Sequence, residues 1–296
     1  MRLACIGIGS NAIRLLIAGW DGERLTDPVR FRRGTRLFAG LQNGRLTEES
    51  MTSSVAAVSE LAGLARQEGV QEIGLFATSA VRDAENGCDF VSLCEEIAGL
   101  RPTILSGEEE AVYSYIGACR GEKAAVVDIG GGSTELISGH DQEPDQACSV
   151  PMGAVRLART IDITDAGSYA EAVRMALVSL DGAVFNAPDG SIWTGVGGTM
   201  TTLGAMMRSV PLFFEGGCEG MTAQRSEVAC WGRRLSVMSL DQRREVVGLM
   251  PKRADIIPAG LAILEAVMQK YGIASMILSN QGNMDGYLKK KFRAMP

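Results

Sequence analysis

The sequence predicts an α/β protein built of two lobes of similar plan, and three observations carry that prediction. A glycine-bearing turn is written twice, as IGIGSNAIRL at residues 6–15 and VDIGGGSTEL at 127–136. Strand and helix signals follow each turn in a similar order, as expected for an internal repeat. The chain has 296 residues, 46% hydrophobic and 22% charged, enough to bury two cores of ordinary domain size.

The first block opens with an apolar run at 2–8 and a second at 15–20, and the Asp21-Gly22 dipeptide after Trp20 suits a tight hairpin turn. Thr47 then caps a predicted helix to about Gln67, with Glu48 and Glu49 in its first turn and Val55, Val58, Leu61 and Ala65 along one face. Gly69 stops it, and a strand follows at 73–77. The second block repeats the plan with strands at 124–129 and 134–138, a helix near 168–185, a strand at 192–195 and the turn GVGGT leading into helix. The expected lobes are 1–119 and 120–296, with a last helix at about 282–291 that packs back on the first lobe.

Composition removes several function classes. A net charge of −6 argues against sequence-blind nucleic-acid binding. Seven cysteines, an odd number without a CxxC pair, indicate neither a disulfide framework nor a zinc ribbon and point to a reducing cytoplasm. No apolar run approaches the roughly 18 residues of a membrane span, and MRLACIGIGS reads as a strand where a signal peptide would need a longer apolar core. His140 is the one histidine, which excludes most Ser-His-Asp and polyhistidine metal schemes.

The chemistry concentrates at the glycine turns and one acidic helix start. Gly130, Gly131 and Gly132 can adopt positive φ and turn successive N–H groups toward an oxyanion, and Ser133 adds a hydroxyl. Asp128 and Glu135 flank that turn, an arrangement that makes sense if a cation such as Mg²⁺ shares the site. Gly197, Gly198 and Thr199 repeat the anion nest ahead of a helix. In LSGEEEA, Ser106 and Glu109 form a capping box, so Glu110 is the acid left for proton transfer. Arg82 is either a phosphate-gripping guanidinium or a surface arginine paired with Asp83 or Glu85. Two basic groups, Arg30, Arg32, Arg33 and Arg36, and Arg233, Arg234, Arg243 and Arg244, are either polyanion tracks or solvated faces.

Six ordered segments, ATSAVRDAENG, LSGEEEA, VVDIGGGSTEL, VPMGAVRL, GVGGTMTTL and RADIIPAGLAILEAV, resemble the exopolyphosphatase and guanosine-pentaphosphate phosphatase family, in its short two-domain form. The resemblance implies two ribonuclease-H-like lobes of the actin, Hsp70 and sugar-kinase type with a cleft between them. It implies a Mg²⁺-assisted phosphohydrolase acting on inorganic polyphosphate or guanosine pentaphosphate (pppGpp), a signal of the stringent response. It assigns catalysis to Glu110, metal-linked acids to Asp128 and Glu135, and phosphate contact to Arg82 and, in the first turn, to Ser10 and Asn11. The expected partners are the polyanion and a second copy in a homodimer, with no nucleic acid and no membrane. The chain departs from the family pattern at Gly7, where an acid is usual, at Ala12, where a serine is usual, and at Met284, where an arginine is usual. These losses raise the alternative of a catalytically weakened polyanion-binding regulator, and lead to the expectation that Gly7→Asp restores a cation ligand.

Overall fold

The computed structural model describes residues 1–211 and 217–295. The chain forms two compact units, one of residues 1–117 with 283–295 and one of residues 118–282.

The first unit begins with β1 (Arg2–Ile8), β2 (Ile13–Trp20) and β3 (Leu25–Arg33), an antiparallel meander. The turn after Trp20 forms as read, with Asp21 Oδ1 accepting from the N–H groups of Glu23 and Arg24 at 3.0 and 2.9 Å and Gly22 at φ +102°. A two-residue pair, β4 (Leu41–Gln42) and β5 (Arg45–Leu46), leads to α1 (Glu48–Gln67). Thr47 caps α1, and Val55, Val58, Leu61 and Ala65 are all buried. Next come β6 (Glu72–Ala77), α2 (Ser79–Arg82), α3 (Gly87–Ala98), β7 (Thr103–Ile104) and α4 (Gly107–Ala118). β6 pairs parallel to β1 and β7 parallel to β6, so the sheet order is β3-β2-β1-β6-β7.

The second unit repeats the meander as β8 (Lys123–Ile129), β9 (Thr134–His140) and β10 (Glu143–Val150). α5 (Ala154–Thr160) and α6 (Ala166–Asp181) follow. α6 ends four residues before the Phe185 boundary read from the sequence. The apolar pattern runs on past Gly182, but Phe185 leaves the helix and is buried edge-on against Trp193 and Tyr271. β11 (Ile192–Val196), α7 (Gly198–Arg208), β12 (Thr222–Gln224), α8 (Arg225–Ser236), α9 (Leu240–Arg244), α10 (Ile257–Lys270) and β13 (Ser275–Leu278) complete the unit. The sheet order is β10-β9-β8-β11-β13-β12, with β11 parallel to β8 and β13. α10 is apolar almost all round because it lies inside the core that includes Leu203, Val228 and Leu264. Both sheets follow the ribonuclease-H-like plan: a three-stranded meander whose first strand continues into parallel pairing.

α11 (Asn283–Arg293) belongs to the first unit. Met284, Leu288 and Phe292 pack on Leu3, Cys5, Leu16 and Phe76, and Phe292 stacks on Trp20 at 5.6 Å. Lys289 Nζ donates to the carbonyls of Gly117 and Ile116 at 2.9 and 3.3 Å, satisfying the end of α4. This contact depends on Gly286, whose Cβ, if present, would lie 1.8 Å from Tyr113 O. Gly286→Ala therefore lowers stability by about 1–3 kcal/mol through overpacking. Gly63→Ala, in α1 with open space around it, raises stability by about 0.5 kcal/mol. Thermal unfolding of the two variants checks the contrast, and equal midpoints would contradict the close approach.

Candidate active site

In the first unit, three parallel strand ends stand level. Ile8 pairs with Ala77 and Ala77 with Ile104, so the segments after β1, β6 and β7 emerge at one edge, the usual ligand edge of an open α/β sheet. The turn at 9–12 is closed by Gly9 N–H donating to Ala12 O at 3.1 Å. Ser10 is buried, and its Oγ lies 2.9 Å from Ser79 Oγ at the start of α2. Arg82, at the end of α2, donates through Nη1 to Leu105 O at 2.8 Å and to Glu110 Oε2 at 3.4 Å, while its Nε stands 3.9 Å from Asp83. Glu85 pairs with Arg45. Of the two arrangements weighed from sequence, the contact with Asp83 is present, and the guanidinium also holds Glu110. The capping box forms as read, Ser106 N–H to Glu109 Oε2 at 2.8 Å and Glu109 N–H to Ser106 Oγ at 3.1 Å. Glu110 lies beyond it, 7% exposed. Ser10, Arg82 and Glu110 therefore follow strand ends that stand side by side, and the Asn11 carbonyl accepts from Arg36 N–H at 3.1 Å in the same turn.

In the second unit, Asp128 and Glu135 are directly opposite each other on β8 and β9, 7% and 0% exposed. Two facing carboxylates at that burial repel unless a proton or a cation is shared. Ser149 extends the row on β10 and donates its hydroxyl to Glu135 Oε1 at 2.9 Å. Two carboxylates suit Mg²⁺, which takes one or two from the protein and fills its octahedron with water and phosphate oxygens. Among the described residues no cluster of three or more His, Cys, Asp or Glu offers an all-protein cage.

The turn beyond Asp128 is closed by Gly130 N–H to Ser133 O at 3.0 Å, the counterpart of the Gly9 bond. The positive φ expected at Gly130, Gly131 and Gly132 occurs at none of them, and is found instead at Gly197 (+94°). Space at Gly130 is tight, since a Cβ there would lie 3.1 Å from Ser133 O. At Gly197 a Cβ would come within 2.8 Å of Asp128 Oδ1, and at Gly198 within 2.1 Å of Arg253 Nη1, so GVGGT lies against Asp128 on one side and Arg253 on the other. Arg253 donates to Gly198 O at 2.5 Å and Thr202 Oγ1 at 3.3 Å. Thr199 is buried at the first turn of α7. Gly130–Ser133, Gly197–Thr199, Asp128 and Glu135 are thus gathered at one edge of the second sheet. Sequence reading missed Ser79, Ser149, Arg156 and Arg253 as site residues, although Ser79, Arg156 and Arg253 stand inside the quoted segments ATSAVRDAENG, VPMGAVRL and RADIIPAGLAILEAV.

Several members of the two basic groups are engaged within the fold. Arg30 is paired with Asp285 and Arg33 with Glu60, and Arg243 is buried, bonded to the carbonyls of Leu235 and Ile163. Arg32 stands opposite Arg14 across β2 and β3, and burial, with the neighbouring Arg14 charge, lowers its pKa to about 10. Arg233 and Arg234 are exposed, with Arg234 over the Trp231 ring.

The departures at 7 and 284 prove to be neighbours. A Cβ at Gly7 would lie 3.2 Å from Phe76 Cζ and 3.4 Å from Met284 Cγ. The Cβ of a Gly7→Asp side chain would therefore press on the packing of α11 against β1, and that packing must give way before an acid there can serve as the expected cation ligand. An acid and an arginine at these two places would face each other, and here both are replaced by apolar contact.

Comparison with known proteins gives matches over nearly the whole chain. The model of the Ppx/GppA phosphatase family matches residues 16–294. Exopolyphosphatase 2 of Mycobacterium tuberculosis is 30% identical, over 96% of this chain and 97% of its own length. Exopolyphosphatase 1 of Mycobacterium leprae is 29% identical, over 98% and 89%. Among solved structures, an exopolyphosphatase-like protein superposes with a TM-score of 0.89 at 28% identity, covering 99% of both chains. The Aquifex aeolicus Ppx/GppA enzyme gives 0.83 at 26%, covering 98% and 99%.

The Gly7 and Met284 contact predicts a coupled effect on stability. Gly7→Asp alone costs about 1–3 kcal/mol, the scale of overpacking against Phe76 and Met284. Combined with Met284→Arg it recovers about 1–3 kcal/mol relative to the sum of the single changes. Denaturant unfolding of the four proteins measures the coupling, and simple additivity would show that the two positions are independent.

Proposed function

We propose that this chain, which belongs to the Ppx/GppA phosphatase family, is a phosphohydrolase that releases terminal phosphate from inorganic polyphosphate, with guanosine pentaphosphate as the second candidate substrate. The observation that carries the reading is the second-unit turn 130–133, an oxyanion nest flanked by two facing buried carboxylates. Polyphosphate is placed first because relatives named exopolyphosphatases align over 96–98% of the chain.

In this reading the amides of the turn and the start of α7 in the second unit receive phosphate oxygens, and in the first unit Arg82 offers a guanidinium beside Glu110. Glu110 takes the proton of the attacking water as its oxygen bonds to the terminal phosphorus, and the bond to the bridging oxygen breaks. Asp128 and Glu135 would hold Mg²⁺, which when bound offsets phosphate charge. Ser149 keeps the Glu135 carboxylate oriented. Seven free thiols support the cytoplasm as the site of action, and among the described residues no helix is long and apolar enough to cross a membrane. A second reading, a weakened polyanion-binding regulator, rests on the apolar Gly7 and Met284 contact. Phosphate release from polyphosphate with Mg²⁺, set beside polyphosphate binding in the same buffer, separates the two.

Glu110→Gln is expected to lower kcat by about 10²- to 10⁴-fold, the usual range for a lost general base, with little change in polyphosphate affinity or melting temperature. Phosphate release measured by a colorimetric assay reads the effect. Turnover equal to that of the parent chain would remove Glu110 from the mechanism.

A further inference from the structure

The carbonyls of Gly130, Gly131 and Gly132 are all held by one neighbouring segment. Gly130 O accepts from Ala154 N–H at 2.9 Å, and Gly131 O accepts from the N–H groups of Val155 and Arg156 at 2.9 and 3.0 Å. Gly132 O accepts from the side chain of Arg156, Nε to O 2.8 Å. Gly153 lets the segment come this close, since a Cβ there would lie 2.4 Å from Gly131 C and O.

The peptide bonds of the turn are trans, and in a trans planar peptide the N–H points opposite to the C=O. Fixing the carbonyls of Gly130, Gly131 and Gly132 toward α5 therefore fixes the N–H groups of Gly131, Gly132 and Ser133 away from it. None of these three N–H groups has an acceptor among the described residues. Three parallel donors without a protein acceptor form an oxyanion nest whose direction is set from behind.

The first turn uses the same device with backbone alone. Ser10 O accepts from Phe38 N–H at 2.9 Å and Asn11 O from Arg36 N–H at 3.1 Å. Only in the second turn is the last carbonyl held by a side chain.

We propose that Arg156 is a positioning residue for phosphate binding: by holding Gly132 O it aims the Ser133 amide, and with the first turn of α5 the whole nest, at a phosphoryl oxygen. The proposal rests on the phosphohydrolase reading for its substrate but not for its geometry. It predicts that what matters at position 156 is a donor to Gly132 O rather than a positive charge.

Three variants separate these. Arg156→Met keeps length without a donor, Arg156→Gln keeps an N–H donor without charge, and Arg156→Lys keeps charge with the planar Nε–H removed. Titration with inorganic phosphate, followed through the amide resonances of Gly131, Gly132 and Ser133, is the primary readout. In the parent chain all three amides shift together. In Arg156→Met phosphate affinity falls about 10- to 100-fold, the worth of one hydrogen bond to a charged group, and the three resonances broaden before any phosphate is added. Gln recovers more of the affinity than Lys. Steady-state hydrolysis of polyphosphate then shows the loss in KM more than in kcat, at an unchanged melting temperature.

Phosphate affinity and resonances in Arg156→Met equal to those of the parent would overturn the proposal, as would a Lys variant that behaves as the parent while Gln behaves as Met. Absence of any phosphate-induced shift at the three amides of the parent overturns it too. A parent chain that binds phosphate at these amides yet hydrolyses no polyphosphate refutes the enzymatic reading and leaves the positioning of the nest standing. If Arg156→Met fails to fold, the comparison of Gln with Lys decides.

Discussion

The direction in which a few peptide groups face controls the rest of this site. A turn at a strand end has backbone donors and acceptors that the ladder no longer satisfies. At residues 9–12 and 130–133 the acceptors are taken by neighbouring backbone and, once, by Arg156. Planarity of the peptide then leaves the donors facing the other way, where an anion can collect them. Glycines at 153, 197 and 198 follow from that requirement, because each stands where backbone, Asp128 or Arg253 must come closer than a Cβ permits. Glycine richness here is a consequence of dense packing around the turns more than of unusual dihedral angles.

The repeat explains why one plan carries two electrostatic characters. Register aligns Gly7, Arg14 and Arg32 across β1, β2 and β3 in the way it aligns Asp128, Glu135 and Ser149 across β8, β9 and β10. One row carries two guanidiniums and the other two carboxylates. The duplicated meander thus carries opposite charge at equivalent positions of the two sheets. The absence of an acid at residue 7 is consistent with that division, since a carboxylate there would be set against Phe76 and Met284.

Much of this was legible in the sequence, for a physical reason. The strands at 2–8 and 124–129, the α1 face and the Ser106–Glu109 capping box depend on neighbours within a few residues, so local pattern reveals them. The acids beside the GGG turn were visible because charge at the end of a buried strand is costly and demands a purpose. β3 went unread, because LTDPVRFRR lacks clean alternation and contains a proline, which an edge strand tolerates. The end of α6 was overrun because Phe185 is buried by a loop and so mimics a helical core position.

What remained hidden in the sequence is pairing across distance. Arg156 and Ser149 stood inside or beside a recognised segment, but nothing in VPMGAVRL says that an Nε–H meets Gly132 O or that a hydroxyl meets Glu135. Gly7 and Met284 looked like two separate losses because they lie near opposite ends of the chain, and α11 brings them within van der Waals contact. Residues that are distant in sequence are coupled when they share a contact, so a change at either one alters the packing of the other. Gly7 and Met284 therefore form one apolar contact in the first unit. They leave untouched the second-unit machinery of Asp128, Glu135 and the turn held by α5.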